Sequence, residues 1–335
     1  MPYELEHRLV IGVAPSALFD LRESDAAFKE SLDAYRDYQD AHIDEPLPKG
    51  AAFPFIERLL GLNDLSPAPD NPLVEVIVLA KDDAVTGLRL MKSLRYYGLK
   101  VERAVFTEGK APYEYIPALN ICLYLSGNHH DVQAAVDCGF PAGVVLGRTA
   151  PPDSGADERH GALRVAFDFD GVLADLEAQQ VYDREKLDAF LAYEEARADE
   201  PLRPGPLARL VQALGRIQRA EIDKCAVDAD YMPRVRLALV TARQAPAHER
   251  AIRTLRSWDV HFNDSFFLGG IEKARVLRVL RPHMVFDDQQ GHLDPVAREI
   301  AAVLVPVPSA ALTRPALPEA EVPATFEEPV PAKET

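Results

Sequence analysis

The sequence predicts an α/β protein made of two related parallel-sheet, Rossmann-like units, the first degenerate and the second carrying a helical cap insertion. Three observations predict it. Short runs rich in Val, Ile and Leu alternate with helix-period segments, the pattern of a parallel sheet covered on both faces. Residues 235–289 lie without gaps on residues 74–128. The candidate catalytic polar groups Asp168, Asp170, Thr241, Lys273, Asp287 and Asp288 stand at or just beyond predicted strand ends of the second half and are missing from the first, and in an open parallel sheet such ends converge on a crevice.

The elements follow in order. "VEVIVLA" (74–80) reads as a strand, and "TGLRLMKSLRYYG" (86–98) as a helix with Thr86 near its N-cap and Gly98 at its end. "VAF" (165–167) is a buried strand that delivers Asp168 and Asp170 to its C-terminal end. "VRLALVTA" (235–242) is a further strand. "APAHERAIRTLRSW" (245–258) is a helix with Pro246 in its first turn, and "MVFDD" (284–288) is a short strand ending in two acids. Between Asp175 and Pro233 two helical stretches, separated by "DEPLRPG", look like an insertion beside the sheet. From Val305 the chain turns Pro- and Glu-rich and reads as a disordered tail. The expected division is therefore 1–150 for the first unit, 160–304 for the second with an insertion at about 177–232, and 305–335 for the tail.

Composition narrows the function. A formal charge of −16 argues against sequence-independent nucleic-acid binding, which rests on Lys and Arg neutralising phosphates. An anionic substrate then needs a locally positive site. The three cysteines, Cys122, Cys138 and Cys225, have no metal-ligand spacing, and their odd number suits a reduced compartment. The first twenty residues do not read as a signal peptide, and no run has the length of a membrane span. A cytoplasmic protein without membrane partners is expected, with assembly into a homo-oligomer left open.

The internal repeat has an offset of 161 from Val74 onward, and "SALFDL" (16–21) lies on "GVLADL" (171–176) with an offset of 155. It separates scaffold from chemistry. In this alignment Asp168 faces Val13, Asp170 faces Pro15, Thr241 faces Ala80, Lys273 faces Pro112, Asp287 faces Ser126 and Asp288 faces Gly127. Only the second half is expected to carry out a reaction, with the first supporting it or contributing substrate contacts.

The polar positions suit phosphoryl transfer through a covalent intermediate. Asp168 is the candidate nucleophile, because a carboxylate splits a difficult hydrolysis into two steps. Asp170 is the candidate acid and base for the leaving alkoxide and the attacking water. A hard cation such as Mg²⁺ lets Asp168, Asp170, Asp287 and Asp288 sit together. Lys273 balances their charge, and the Thr241 hydroxyl holds phosphate oxygens. Taken singly, Thr241 is also a plain strand-end hydroxyl, Lys273 a solvated helix lysine and Asp287-Asp288 a turn. Their shared order and placement favour the joint reading.

"DFDGV", "LVTAR", the lysine of "GGIEK" and "FDDQ" resemble the four motifs of the haloacid dehalogenase-like phosphatases. Through residue 304 the chain resembles more specifically the cytosolic 5′-nucleotidase I family. "SALFDL", "TGLRLMKSLRYYGL", "FTEGKAP", "LYLSGNHHDVQAA", "FFLGGIEK" and "RPHMVFDDQ" carry that resemblance. It implies Mg²⁺-dependent hydrolysis of nucleoside 5′-monophosphates. Asp168 matches the nucleophile, Asp170 the acid/base, Thr241 the phosphate-binding hydroxyl, Lys273 the third-motif lysine, and Asp287 and Asp288 the metal-site acids. The alternatives are a phosphatase for another small phosphomonoester and a nucleotide-binding regulatory protein with negligible turnover.

Six further positions are weighed as substrate contacts or core. Lys81 and Arg89 stand near a strand end and a helix start, where an anion is favoured. Arg243, two residues after Thr241, is placed to face the phosphate. Tyr182, Phe190 and Tyr193 either stack on a base or, at helical spacing, serve as core. His129 and His130 read as exposed loop residues.

Overall fold

A computed structural model describes residues 4–66, 68, 70–147, 149–150 and 161–309. In the first half, β1 (Leu9–Val13) leads into helices α1 (Pro15–Leu18), α2 (Arg22–Glu30), α3 (Leu32–Ala41) and α4 (Phe53–Gly61). There follow β2 (Val74–Ala80), α5 (Leu88–Tyr96), β3 (Arg103–Phe106), β4 (Leu123–Ser126), α6 (His129–Asp137) and β5 (Ala142–Leu146). The second half runs β6 (Leu163–Phe167), α7 (Glu177–Ala196), α8 (Ala208–Val227), β7 (Val235–Thr241), α9 (His248–Ser257) and β8 (Asp264–Phe267). It ends with α10 (Lys273–Leu280), β9 (Met284–Asp287), α11 (Gln290–Leu293) and β10 (Ala302–Leu304).

All ten strands form one mainly parallel sheet in the order β3-β2-β1-β4-β5-β10-β9-β6-β7-β8. Read from its outer edge inward, each half has the same strand order. The halves meet where β5 pairs antiparallel with β10, Val145 lying opposite Val303. Strand C-termini of the two halves therefore point to opposite edges of the sheet. One apolar cluster runs through both halves, and Phe286 stacks on Phe167 at 5.2 Å while meeting Phe55 of the first half at 6.4 Å. α4 packs on β6 and α8 on β1, so each half lends a helix to the first strand of the other.

The repeat is visible in three dimensions. β2 and β7, β3 and β8, and β4 and β9 cover equivalent residues at the offset of 161. The first strands differ from the sequence alignment by one residue. Leu9 lies opposite Val74 as Leu163 lies opposite Val235, which makes Ala14, not Val13, the counterpart of Asp168. Beyond the strand the first half has two residues, Pro15 and Ser16, where the second has Phe169, Asp170 and Gly171. The extra residue is taken up in a turn where Gly171 has φ 74°. That left-handed backbone favours glycine. From there the offset of 155 holds, as Gly50 and Gly205 donate to Leu18 O and Leu173 O.

The helical segment is not peculiar to the second half. Leu47 N–H donates to the Ser93 hydroxyl, which donates to Arg89 O, and Leu202, Thr254 and Arg250 make the same chain of bonds. Residues 22–45 with α2 and α3 are thus the counterpart of the α7 segment. The expected insertion at about 177–232 is also too long: α8 buries Leu210, Leu214 and Ile217 in the main core and belongs to the sheet's cover. At the other end, Val305 is buried and donates to Asp287 O, and exposed Ser309 donates to the Asp137 carboxylate, so the chain stays hydrogen-bonded to the body as far as residue 309. The remainder of the expected tail lies outside the described residues.

Candidate active site

Three strand ends and the start of α10 in the second half build the site. β6 is wholly apolar at its end, with Val165, Ala166 and Phe167 buried, and it places Asp168 at the C-terminal edge of the sheet. The Asp168 carboxylate accepts from Phe169 N–H at 2.7 Å. Lys273, first residue of α10, has its buried Nζ 2.7 Å from Asp168 Oδ2 and 2.7 Å from Asp287 Oδ2. Asp287, last residue of β9, also accepts from Gln289 N–H and lies 3.0 Å from His292 Nδ1. Thr241 ends β7, buried, and its hydroxyl accepts from Arg243 N–H.

Electrostatics mark the cluster as short of positive charge. Burial pushes Asp168 up to about 6, with Asp287 and Asp170 adding to the shift against the pull of Lys273. Burial also pushes Asp288 up to about 7, reinforced by Asp168, Asp287 and Asp170. Asp287 goes the other way: burial opposes its charge, but His292 and Lys273 hold it below the usual carboxylate range. Lys273 sits above an ordinary lysine despite burial, because two carboxylates face it.

The acids offer ligands to a cation. Asp288 Oδ1 is buried without a hydrogen-bond partner, and a Cβ built on Gly171 would lie 2.7 Å from Asp288 Oδ2. A buried carboxylate oxygen left unpaired is costly unless something positive meets it. Asp168, Asp287 and His292 also present ligand atoms within 4.8 Å of one another, although Lys273 already bridges the two acids.

Asp170 is held by Arg243. The guanidinium donates Nε to Asp170 Oδ2 at 2.8 Å and Nη2 to Asp170 Oδ1 at 2.7 Å, a two-pronged grip. Its remaining donor goes to Glu194 of α7 and to Ala247 O. Glu194 is fully buried and accepts from Arg250 at 2.9 Å as well. Asp170, Arg243, Glu194 and Arg250 therefore alternate in charge from the site into the helical segment. Arg243 also lies 4.9 Å over Phe169 and 5.4 Å over Phe190.

Of the residues expected from sequence, Asp168, Asp170, Thr241, Arg243, Lys273, Asp287 and Asp288 come together at this edge. Arg243 is the first correction: it is buried with its donors committed to Asp170, Glu194 and Ala247, so it orients an acid and is not free to grip a phosphate. Lys81 and Arg89 are the second. They follow β2, whose C-terminus faces the opposite edge of the sheet. Lys81 pairs with Asp131, and buried Arg89 donates to Glu45 O and Gln39. Arg89→Ala is expected to lower stability by about 2–3 kcal/mol, the cost of leaving buried acceptors unmet, and Lys81→Ala to change KM by less than about twofold. Thermal melts and steady-state kinetics check the pair. Phe190 is core, Tyr182 meets its ring edge-on at 6.0 Å, and Tyr193 bonds Glu177. His129 and His130 are exposed at the start of α6.

Sequence reasoning missed Glu194 and His292. The repeat held the signal. Glu194 corresponds to Gln39, Arg243 to Asp82 and His292 to Asp131, while Arg250 keeps its counterpart Arg89. Arg250 is retained in both halves, whereas Glu194, Arg243 and His292 change along with Asp168.

A family model described as 5′-nucleotidase matches residues 1–311. The human cytosolic 5′-nucleotidase 1B is 30% identical over 305 residues, 89% of this chain and 48% of that protein. The chain thus spans about half the length of that relative. Among solved structures, histidinol dehydrogenase from Elizabethkingia anophelis is 11% identical, covering 84% of this chain and 64% of that one, with a TM-score of 0.22. The family match covers both halves and every strand-end residue described above; this chain belongs to the 5′-nucleotidase family.

Proposed function

We propose that the chain is a phosphomonoester hydrolase that converts nucleoside 5′-monophosphates to nucleoside and phosphate through an aspartyl-phosphate at Asp168. The observation that carries this reading is the buried Asp168–Lys273–Asp287 arrangement, 2.7 Å on each side of the Lys273 ammonium, beside Asp170. Asp168 attacks phosphorus and the bond to the 5′-oxygen breaks, that oxygen taking a proton from Asp170. Water then attacks the aspartyl-phosphate, gives its proton to Asp170, and phosphate leaves with Asp168 restored. Lys273 keeps Asp168 aimed and partly neutralised. The Thr241 hydroxyl is the nearby side-chain donor for phosphate oxygens.

Asp168 and Asp288 would hold Mg²⁺, because Asp288 has an unpaired buried oxygen, whereas both Asp170 oxygens are held by Arg243 and Asp287 is committed to Lys273 and His292. When bound, the ion supplies positive charge to the transferring phosphoryl group. The first half, 1–150, is assigned to scaffold and 160–304 to catalysis, since the first half has Ala14, Ala80, Pro112, Ser126 and Gly127 at the corresponding strand ends. A cytoplasmic location belongs to the same proposal; no helix among the described residues is long and apolar enough to cross a membrane.

Phosphate release from a panel of nucleoside monophosphates and sugar phosphates, with Mg²⁺ and with excess chelator, tests the reading. Metal-dependent release from nucleotides supports it, and release from sugar phosphates alone would replace the substrate. Glu194→Gln probes Asp170: kcat on nucleotides is expected to fall about ten- to a hundredfold with KM little changed, within the range of acid–base contributions. An aryl phosphate, whose leaving group needs no proton, should lose much less. Equal losses on both substrates would remove Glu194 from any role through Asp170. The variant should fold, since Gln39 occupies the matching place beside Arg89.

A further inference from the structure

The loop from Thr241 to α9 borders the acid that the proposed reaction uses on the leaving oxygen. Arg243 grips Asp170 with two nitrogens and reaches Ala247 O with the third at 3.0 Å. Gln244 and His248 directly follow those two anchor points in the chain, so both flank the corner of the site where the leaving group of a phosphomonoester emerges. From the neighbouring strand, Phe267 ends β8 directly opposite Thr241, and the His248 ring meets it edge-on at 5.7 Å. Gly269 N–H reaches Arg243 O at 3.4 Å, which brings the loop after β8 against the loop after β7.

Two polar groups in this corner have nothing to bond. His248 Nδ1 is buried without a hydrogen-bond partner. Buried polar groups are otherwise paired, and one left unpaired costs stability, so packing alone does not account for this imidazole. The half-buried Gln244 carboxamide likewise makes no hydrogen bond among the described residues. Gly269 makes room for it: a Cβ there, where φ is 55°, would lie 2.7 Å from Gln244 Oε1.

The first half closes the same corner with its own groups. Where Gln244 stands it has Asp83, whose carboxylate accepts from Val85 and Thr86 N–H at 2.8 and 2.9 Å. Where His248 stands it has Gly87, and Phe106, the counterpart of Phe267, packs so close that a Cβ on Gly87 would lie 2.2 Å from its ring. The fold thus completes this helix start without a free side chain. In the second half Phe267 faces an imidazole instead, and the carboxamide caps nothing.

We infer that Gln244, His248 and Phe267 form the subsite for the nucleobase of the substrate. The carboxamide sets a donor beside an acceptor, as the polar edge of a base does, and the two rings offer their surface to its face. This rests on the nucleotidase reading and adds to it the residues that tell a nucleotide from a bare sugar phosphate.

The test is calorimetric titration of the full chain carrying Asp168→Asn, which removes turnover, with Mg²⁺ present. Adenosine and uridine 5′-monophosphates are the probes, and ribose 5-phosphate is the base-free control. Both nucleotides should bind more tightly than ribose 5-phosphate. Adding Gln244→Ala or His248→Ala should weaken nucleotide binding about tenfold, the scale of one stacked or hydrogen-bonded base, and ribose 5-phosphate binding by less than about twofold. Gln244 makes no bond within the fold, so its truncation leaves the packing of the chain as it is. Equal losses on nucleotides and ribose 5-phosphate would overturn the subsite, as would unchanged nucleotide affinity, or nucleotides that bind no better than ribose 5-phosphate. Hydrolysis by the chain with Asp168 intact is a separate measurement: no phosphate release from nucleotides there would strike the proposed reaction, and the difference in affinity would still decide the subsite.

Discussion

Asp168→Asn is expected to lower kcat by roughly 10⁴-fold or more, the scale on which removal of a nucleophile acts in enzymes that use a covalent intermediate. Asparagine keeps the shape of the side chain and its bond from Phe169 N–H, so packing around β6 is preserved. What changes is charge. Lys273 retains Asp287 at 2.7 Å, and the fold is expected to hold because one of several crowded acids has been neutralised. Rapid-quench trapping of radiolabelled phosphate on the protein gives the direct readout. The parent should carry acid-stable label at Asp168 and the variant none. Near-parental turnover in the variant would remove Asp168 from the reaction, whatever the substrate.

Asp288→Asn is expected to separate activity from stability. Asp288 is pushed up to about 7 by burial and by Asp168, Asp287 and Asp170, so in the metal-free protein its ionised form is disfavoured by folding. A carboxyl group raised from an ordinary value near 4 costs the folded state stability as pH climbs between those two values, because the folded chain binds the proton more tightly. Neutral asparagine removes that penalty. At pH 7.5 with chelator, the variant should melt higher than the parent, with a gain of order 1–4 kcal/mol, and the difference should vanish near pH 4. Added Mg²⁺ should raise the melting temperature of the parent and leave the variant little changed, while the variant loses about a hundredfold or more in turnover through loss of the ion's charge. A variant that stays active with Mg²⁺ would transfer the metal-holding role to Asp287 and His292, whose ligand atoms also converge.

Both predictions rest on a conflict that natural sequences retain where function demands it. Asp168, Asp170, Asp287 and Asp288 gather around one buried lysine and one committed arginine. The degenerate half has Ala14, Ser126 and Gly127 at matching strand ends. Once the chemistry was not needed there, nothing in folding called for acids. Arg89, Ser93 and Leu47 kept the bonds that Arg250, Thr254 and Leu202 make, because those bonds satisfy buried polar groups in either half.

The sequence by itself determined the parallel-sheet class, both ends of β2, the starts of β7 and β9, and the meeting of Asp168, Lys273, Asp287 and Asp288. These follow from local apolar runs and from a rule about where parallel strands end. Hydrophobic periodicity and side-chain type are properties of short segments, and short segments are what a sequence displays. Tertiary structure alone decided that the halves join through the antiparallel pairing of β5 with β10, which sends Lys81 and Arg89 to the far edge. It also decided that Ala14 is the counterpart of Asp168, and that Arg243 is shared between Asp170 and Glu194. Each of those outcomes depends on contacts between residues tens to more than a hundred positions apart, chosen by how the whole core closes and which buried charges must then find partners.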